Sequence, residues 1–256
     1  MIYITGDVHE DIGFWEQKGY GSNVLVSLQY LKILGKYSLS STLFINGICL
    51  DKEKDNVKKL LDYDVELGGH TYNNFGNIGM IKSYLYRKIW GCVYGPAFYQ
   101  RRDIQRTKKA FEKFGLKMTS WRTHAFASNE KTFDLLAEQG VKFVSDLLGK
   151  TKPYKDGGIV HLPINIPVDQ NTIAYGLLRP ESRNPFIGAT KGRINPDEWL
   201  EIVKKRISKN EKNGVPSILL IHPATMAYLD KFSLFENLAR FLSKYKSGKI
   251  SEFKIR

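Results

Sequence analysis

Five residues of this chain have side chains suited to acid–base or metal-assisted chemistry. They are two aspartates, two histidines and one arginine: Asp7, His70, Arg122, Asp146 and His222. A carboxylate can accept a proton, a protonated imidazole can donate one, and a neutral imidazole can bind a metal ion. Each of the five lies just past the end of a segment that predicts a β-strand. Because the carboxyl ends of the strands in an α/β barrel meet at one mouth, we expect the five side chains to share one site.

The apolar pattern predicts the elements that would position these residues. It predicts strands at residues 2–6, 42–45, 65–67, 118–121, 141–144, 159–166 and 217–221, and a further strand at 172–178. Apolar residues at helical spacing predict helices at residues 23–37, 51–61, 103–114, 130–139, 196–209 and 233–245. This alternation of strands and helices predicts an α/β fold, a distorted barrel of parallel strands, formed by a single domain over residues 1–256.

The composition is that of an ordinary globular protein. The chain has 256 residues, of which 42% are hydrophobic and 25% charged. Its apolar runs are far shorter than the roughly 20 residues of a membrane-spanning helix. The first seven residues are typical of a strand and not of a signal peptide, and Cys49 and Cys92 lack the spacing of a metal site. We therefore expect a cytoplasmic location.

The net charge of +13 permits two interpretations. It is typical of a lysine-rich, solvated surface, and it also suits an anionic partner such as a phosphate group or a membrane surface. Basic residues are not regularly interleaved with aromatic ones, and no nucleic-acid-binding motif is present. We therefore expect no nucleic-acid partner, and the sequence leaves peripheral membrane contact open.

The first strand alone suggests one kind of metal enzyme. Residues 6–9 read Gly-Asp-Val-His and resemble the first motif of the metallophosphoesterases, in which an aspartate and a histidine bind one ion of a two-metal centre. The later motifs of that family are missing. A metallophosphoesterase therefore stays as an alternative that rests on four residues.

A second resemblance extends over most of the chain. Five segments carry it: residues 42–47 (TLFING), 65–74 (VELGGHTYNN), 121–132 (WRTHAFASNEKT), 143–146 (FVSD) and 219–223 (LLIHP). Together with the first strand they resemble, in order and spacing, the motifs of the polysaccharide deacetylase family, also called the NodB-homology domain or carbohydrate esterase family 4. The resemblance covers residues 2 to about 226 and implies the barrel of that family.

The resemblance also implies a reaction, which is hydrolysis of the amide of an N-acylated sugar. The family uses one divalent metal ion, usually zinc, together with a catalytic base and a catalytic acid. By position, Asp7 matches the base and His222 the acid. Arg122 matches the arginine that orients the base, and Asp146 matches the carboxylate that holds the acid histidine.

The metal ligands are where this sequence departs from the family. The usual set is one aspartate and two histidines that are four residues apart. Here the matching positions hold His9, His70 and Asn74, because Val8 cannot act as a ligand. An amide oxygen is a poor zinc ligand. The altered set thus leaves three outcomes open: a metal site with changed ligands, a weak site, or an inactive one.

Further residues could complete the site. His124 replaces a family proline and is both a further candidate ligand and a candidate for contact with substrate. Trp121, Tyr72 and Phe126 could form an aromatic wall for a sugar ring, and core packing explains these side chains equally well. Residues 84–99 are rich in aromatics and follow the His70 strand, so they could form a flap facing substrate or membrane.

The substrate is less well defined by the sequence. A small N-acylated sugar, a nucleotide-linked sugar and a lipid-phosphate-linked sugar all fit a cytoplasmic enzyme with this net charge. Three functional classes stay open: a metal-dependent deacetylase, which the resemblance favours, a non-catalytic sugar-binding relative with an eroded metal site, and a metallophosphoesterase.

Overall fold

The structure is a computed structural model that describes residues 1–10, 21–74, 79–149, 152–174 and 194–255. In these residues a sheet of mainly parallel strands alternates with helices, which confirms the predicted α/β class. Among the described helices, none is both long and apolar enough to cross a membrane.

The strands form one sheet. They are β1 (Ile2–Val8), β2 (Ser41–Ile45), β3 (Val65–Gly69), β4 (Ser120–Trp121), β5 (Phe143–Val144), β6 (Tyr154–Asp156), β7 (Ile159–His161), β8 (Ser217–Leu220) and β9 (Ser247–Gly248). Their order is β6-β7-β5-β4-β3-β2-β1-β8, and β9 pairs with the beginning of β1. All pairs are parallel except β6 with β7. The parallel order brings the carboxyl ends of β1, β3, β4, β5 and β8 to one edge.

Helices connect the strands. They are α1 (Asn23–Lys36), α2 (Gly47–Lys52), α3 (Lys54–Leu60), α4 (Gly79–Trp90), α5 (Ala97–Lys113), α6 (Glu130–Glu138), α7 (Pro196–Lys212), α8 (Pro223–Asp230) and α9 (Ser233–Leu242). The helix predicted at 51–61 is two helices, because Glu53 leaves the helical conformation. Of the strand predicted at 172–178, residues up to Ala174 belong to a π-helical turn, Gln170–Ala174, and the rest lie outside the described residues.

Alternation along β1 separates two apolar clusters. Ile2 and Ile4 pack into the larger cluster with the helices. Tyr3, on the opposite face, packs into a smaller cluster with Phe44 and Leu220. Because side chains two residues apart share a face of a strand, Asp7 lies on the same face as Tyr3. This face therefore changes from apolar to polar as it approaches the carboxyl end.

The chain after β7 reaches the strand at the other end of the sheet. The backbone N–H of Asn165 donates to the carbonyl of Ile218 (3.2 Å), and its side-chain Oδ1 accepts from the Ile218 N–H (3.0 Å). Its Nδ2 donates to the carbonyl of Pro216 (2.8 Å). These bonds fix the segment that continues to residues 166–174 beside β8.

Gly69 allows β3 to approach the next strand closely. A Cβ at this position would collide with Cε3 of Trp121. The carbonyl of Gly69 accepts a 3.0 Å hydrogen bond from the backbone N–H of Arg122. The glycine therefore sets His70, the next residue, directly beside Arg122.

Candidate active site

An ion pair between Asp7 and Arg122 lies at the centre of the carboxyl edge. Nη1 of Arg122 donates to Oδ1 of Asp7 at 2.9 Å. Both side chains are buried, Arg122 completely. The structure therefore brings together these two predicted residues, which are 115 positions apart in the sequence.

Every nitrogen of the Arg122 guanidinium has a hydrogen-bond acceptor. Nη2 donates to Oγ1 of Thr5 (2.9 Å) and to Oγ of Ser145 (2.8 Å), and Nε donates to the Ser145 carbonyl (2.8 Å). The guanidinium carbon lies 4.4 Å from the ring centroid of Phe44. A buried guanidinium that is bonded through all three nitrogens is held in one orientation, so Arg122 fixes the position of the Asp7 carboxylate. The sequence analysis did not single out Thr5 or Ser145.

Asp7 remains ionised in spite of its burial. Burial by itself would raise the pKa of this carboxyl, but the positive charge of Arg122 and the neighbouring His70, His222 and His9 bring the pKa well below its usual range. Oδ2, the oxygen not bonded to Nη1 of Arg122, lies 3.9 Å from Nε2 of His70 and 3.8 Å from Nε2 of His222. Asp7 is therefore an anionic proton acceptor between two imidazoles.

Three imidazoles, those of His9, His70 and His124, form a cluster on one side of Asp7. One ring nitrogen from each lies within 4.8 Å of the other two. Nδ1 of His124 is 3.4 Å from Nε2 of His70, and the His9 ring stacks on the His70 ring at 5.0 Å. Burial lowers the pKa of His70 to about 4 and that of His124 to about 3, although the negative charge of Asp7 opposes the shift in both. The pKa of His9 falls well below its usual value for the same reason.

His70 is held in one tautomer. Its Nδ1 lies 2.8 Å from the carbonyl oxygen of Arg122, which can only accept, so Nδ1 carries the proton. The lone pair is then on Nε2, the nitrogen that faces the cluster. A backbone carbonyl in this role is the usual outer support of a metal-binding histidine.

His124 is brought to the cluster by an unusual turn. It begins a short 3₁₀ turn, His124–Phe126, in which Ala125 (φ 54°) and Phe126 (φ 53°) are both left-handed. Such conformations are uncommon for residues other than glycine and disfavour this turn locally. No spacing rule predicts such a turn, so the sequence could offer His124 only as a further candidate.

Of the predicted ligand set of His9, His70 and Asn74, the first two lie in the cluster. Among the histidine, cysteine and carboxylate side chains of the described residues, the one that joins them is His124. Asn74 is buried in a left-handed conformation (φ 52°), and its side-chain oxygen and nitrogen have no hydrogen-bond partner in the described part of the chain. The role of Asn74 as a metal ligand therefore stays a prediction from the sequence.

On the other side of Asp7, His222 forms a close pair with Asp169. Nδ1 of His222 lies 2.7 Å from Oδ1 of Asp169, whose Oδ2 accepts the backbone N–H of His222 at 2.8 Å. Burial by itself would lower the pKa of His222, but the charges of Asp169 and Asp7 and the hydrogen bond raise it above its usual value. His222 is therefore suited to hold a proton at neutral pH.

The prediction that Asp146 holds this histidine is wrong. Asp146 accepts instead from the backbone N–H (2.5 Å) and hydroxyl (2.6 Å) of Thr123. Burial raises its pKa to about 6 in spite of these bonds. Asp146 thus fixes the residue between Arg122 and His124, while Asp169, which the sequence analysis missed, serves His222. Its only sequence signal is a carboxylate in a polar, irregular segment.

Two of the residues predicted to contact substrate belong to the core. Trp121 is completely buried, and its indole N–H donates to Oγ1 of Thr123 (3.0 Å). Tyr72 is also buried, and the guanidinium carbon of Arg106 lies 3.6 Å from its ring centroid. The hydroxyl of Tyr72 donates to Oδ2 of Asp51 (2.9 Å). The side chain of Phe126 is partly exposed, so it stays a candidate for contact with substrate.

The cluster of His9, His70 and His124 fits a metal ion. Three neutral imidazoles are a common donor set for catalytic zinc, which leaves a coordination position open. Their burial and low pKa values keep the nitrogens unprotonated, and His70 has its outer support. The unpartnered amide of Asn74 adds a buried polar group four residues from His70.

Comparison with known proteins gives one family. The sequence model described as polysaccharide deacetylase matches residues 19–144. No curated protein matches the sequence.

Solved structures share the fold. A Mycobacterium smegmatis protein assigned to the polysaccharide deacetylases has a TM-score of 0.70 at 18% identity, over 97% of this chain and 86% of that one. Puue allantoinase has a TM-score of 0.65 at 13% identity, over 97% and 86%. A carbohydrate esterase family 4 pseudoenzyme from Bacillus anthracis has a TM-score of 0.54 at 16% identity, and this chain covers 64% of it. At such identities the likeness shows the fold alone.

Proposed function

The chain belongs to the polysaccharide deacetylase family, and from this premise we propose that it is a metal-dependent hydrolase of the amide in an N-acylated sugar or glycan. The observation that carries the proposal is the position of Asp7. Its Oδ2 lies 3.9 Å from Nε2 of His70, in the imidazole cluster, and 3.8 Å from Nε2 of His222. Amide hydrolysis needs a proton acceptor, a proton donor and a polarised carbonyl within such distances.

His9, His70 and His124 would hold the metal ion, and zinc suits three imidazoles best. When bound, the ion would act as a Lewis acid on the carbonyl that is attacked. Asp7 takes the proton of the attacking water through Oδ2, because Oδ1 is held by Arg122. Its lowered pKa keeps it ionised and ready to accept over the physiological range.

His222 supplies the proton for the leaving group. The water oxygen bonds to the carbonyl carbon, the carbon–nitrogen bond breaks, and the nitrogen leaves as an amine with the proton from Nε2 of His222. Asp169 keeps this imidazole charged and correctly turned, since Nδ1 is bonded to its carboxylate. Arg122 and Asp146 act as positioning residues, for Asp7 and for the loop with Thr123, respectively.

The net charge of the chain is the one property that narrows the choice of substrate. The net charge of +13 favours a substrate that carries phosphate, such as a nucleotide-linked or lipid-phosphate-linked sugar. A cytoplasmic setting for that substrate stays a prediction from the sequence. Allantoinase, whose structure has the same fold, makes a non-sugar amide the first substrate class to include as a comparison.

A sugar-binding protein without activity is the second candidate. The changed ligand position at Asn74 favours it, as does the fold shared with a pseudoenzyme of the same family. The metallophosphoesterase alternative needs a second metal site. Among the described residues, the cluster of His9, His70 and His124 is the one group of three or more histidine, cysteine or carboxylate side chains placed to hold a metal ion.

The test combines metal content with product release. We expect about one zinc per chain by elemental mass spectrometry, lost in His70→Ala and in His124→Ala, and acetate release from N-acetyl sugars that is lost in both. His161→Ala is the matched control, because this buried histidine lies outside the cluster. Metal binding without release of an acyl group from any substrate would favour the binding protein, and two metal ions per chain would overturn the proposal.

A further inference from the structure

Large apolar side chains on the surface are concentrated in one region. The described residues include ten large hydrophobic side chains that are exposed, and six of them lie between positions 81 and 98: Ile81, Tyr84, Leu85, Ile89, Trp90 and Phe98. Scattered exposed apolar residues are normal, but a contiguous group indicates a contact surface. We call these six residues the apolar patch.

The α4 part of the apolar patch forms a stripe. Ile81, Leu85 and Ile89 follow one another at intervals of four residues, with exposures of 66%, 49% and 64%. Tyr86, on another side of the helix, packs against Trp90 at 5.4 Å and against Tyr99 of α5 at 5.5 Å. The helix is therefore attached to α5 by Tyr86, while the stripe faces solvent.

Charge in this region has one sign. Between Glu66 and Asp103 the sequence contains no acidic residue and five basic ones: Lys82, Arg87, Lys88, Arg101 and Arg102. Arg87 and Lys88 are exposed and have no carboxylate partner within the described residues. Nζ of Lys88 lies 5.5 Å from the ring centroid of Tyr84, so a cation and an aromatic side chain lie side by side on the surface.

The segment that joins α4 to α5, between parts of the apolar patch, is bonded to loops of the candidate active site. Sγ of Cys92, after α4, donates to the carbonyl of Ala127, three residues after His124 (3.4 Å). The hydroxyl of Tyr94 donates to Oδ2 of Asp103 (2.7 Å), and the same carboxylate accepts the backbone N–H of Tyr72, two residues after His70. Two hydrogen-bonded connections thus link the segment between α4 and α5 to the loops that carry His70 and His124.

We propose that the apolar patch is a docking surface for an anionic lipid membrane. Exposed isoleucine, leucine and tryptophan with flanking basic residues are the composition of a helix that lies in a membrane interface. At 12 residues α4 is far too short to span a bilayer. Arginine and lysine without acidic neighbours add attraction to anionic headgroups. Docking through the patch would bring the loops that are bonded to the segment after α4 close to the membrane surface.

Vesicle binding of the full chain tests this proposal. The probes are large vesicles of phosphatidylcholine alone and of phosphatidylcholine with phosphatidylglycerol at about 7:3, analysed by co-sedimentation. We expect binding to the anionic vesicles only, with a shift of Trp90 emission to shorter wavelength that is absent in Trp90→Phe. Ile81→Ser with Ile89→Ser should lower the partition coefficient by about tenfold or more. Arg87→Ser with Lys88→Ser should lower it by about fivefold per charge.

The control has the same chemistry at another place. Leu61→Ser with Ile255→Ser removes two exposed apolar side chains far from positions 81–98 in the sequence and should leave binding unchanged. Circular dichroism melting shows whether each variant is folded. No binding to anionic vesicles, or equal binding by the wild type and the Ile81/Ile89 variant, would overturn the proposal. A dimer in light scattering that the Ile81/Ile89 variant loses, without vesicle binding, would assign the patch to self-association instead. The assay needs no catalysis, so its failure leaves the proposed hydrolysis unaffected.

Discussion

The histidines on the two sides of Asp7 differ in the charge of their partners. His222 has a carboxylate, Asp169, on its Nδ1, and its pKa is raised. His70 has a neutral carbonyl, that of Arg122, on the same atom, and its pKa falls to about 4 through burial. Both imidazoles are buried and both lie within 4 Å of the same Asp7 oxygen. The comparison indicates that the charge of the partner on Nδ1 sets the direction in which the pKa of a buried histidine moves here.

His222→Asn is expected to have the largest effect, and the effect should separate the two sides of Asp7, because activity is lost and bound zinc is kept. Loss of the proton donor should lower kcat/KM by about 10²–10⁴-fold, the usual contribution of general acid catalysis. Zinc content should stay at the wild-type level, because His222 is outside the cluster. Elemental analysis beside acetate release measures both. A variant that loses its metal as well would show that the two sides are not separate.

Arg122→Met tests what holds Asp7 between the two sides. The substitution leaves a buried carboxylate without its ion-pair partner, and we expect a loss of about 3–5 kcal/mol in the free energy of unfolding. Urea denaturation measures it. Arg101→Met is the matched control, because Arg101 pairs with Glu138 at the exposed surface, where such a pair contributes at most about 1 kcal/mol. Equal losses in the two variants would contradict the central role of the Asp7–Arg122 pair.

Asp169→Asn should lower the pKa of His222, towards the behaviour of the histidines in the cluster. In the proposed mechanism the protonated form of His222 is the active one, so activity should fall as the pH rises through the pKa of His222. Asp169 raises that pKa, and removing its charge should move the descending limb of the pH–rate profile to lower pH. At neutral pH we expect a loss of about tenfold or more. A lower rate with an unmoved limb would mean that Asp169 only orients the ring.

The smallest effect is expected from His161→Phe. His161 is buried, stacks on Tyr154 at 4.7 Å, and its Nδ1 has no hydrogen-bond partner in the described part of the chain. A phenyl ring keeps the stacking and removes the unpaired nitrogen, so the free energy of unfolding should change by less than about 1 kcal/mol. Metal content and acetate release should match the wild type. A loss of metal or of activity would place His161 in the site, although the geometry places it outside.

The sequence predicts the parts of the site that depend on regular strands. Asp7, His70 and Arg122 end or follow β1, β3 and β4, and the parallel order of these strands brings them together as expected. Strand ends can be predicted because apolar alternation marks each strand and stops where the polar residue begins.

The parts that depend on irregular backbone could not be predicted. Asp169 directly precedes a π-helical turn, and His124 begins a turn with two left-handed residues. Neither conformation follows from local propensity, since tertiary contacts hold both. The wrong assignment of Asp146 as the partner of His222 comes from carrying family spacing across such a segment.

The left-handed turn behind His124 has a consequence for laboratory evolution. Ala125 and Phe126 occupy a backbone region that glycine enters at little cost and other residues at roughly 1–2 kcal/mol each. A screen that selects for heat resistance alone would favour glycine at position 125, since the cost at this one residue would then disappear. Glycine is also more flexible than alanine, so the same change would loosen the backbone that carries His124 beside the other two imidazoles. Thermostable variants should therefore be screened for bound metal in the same round.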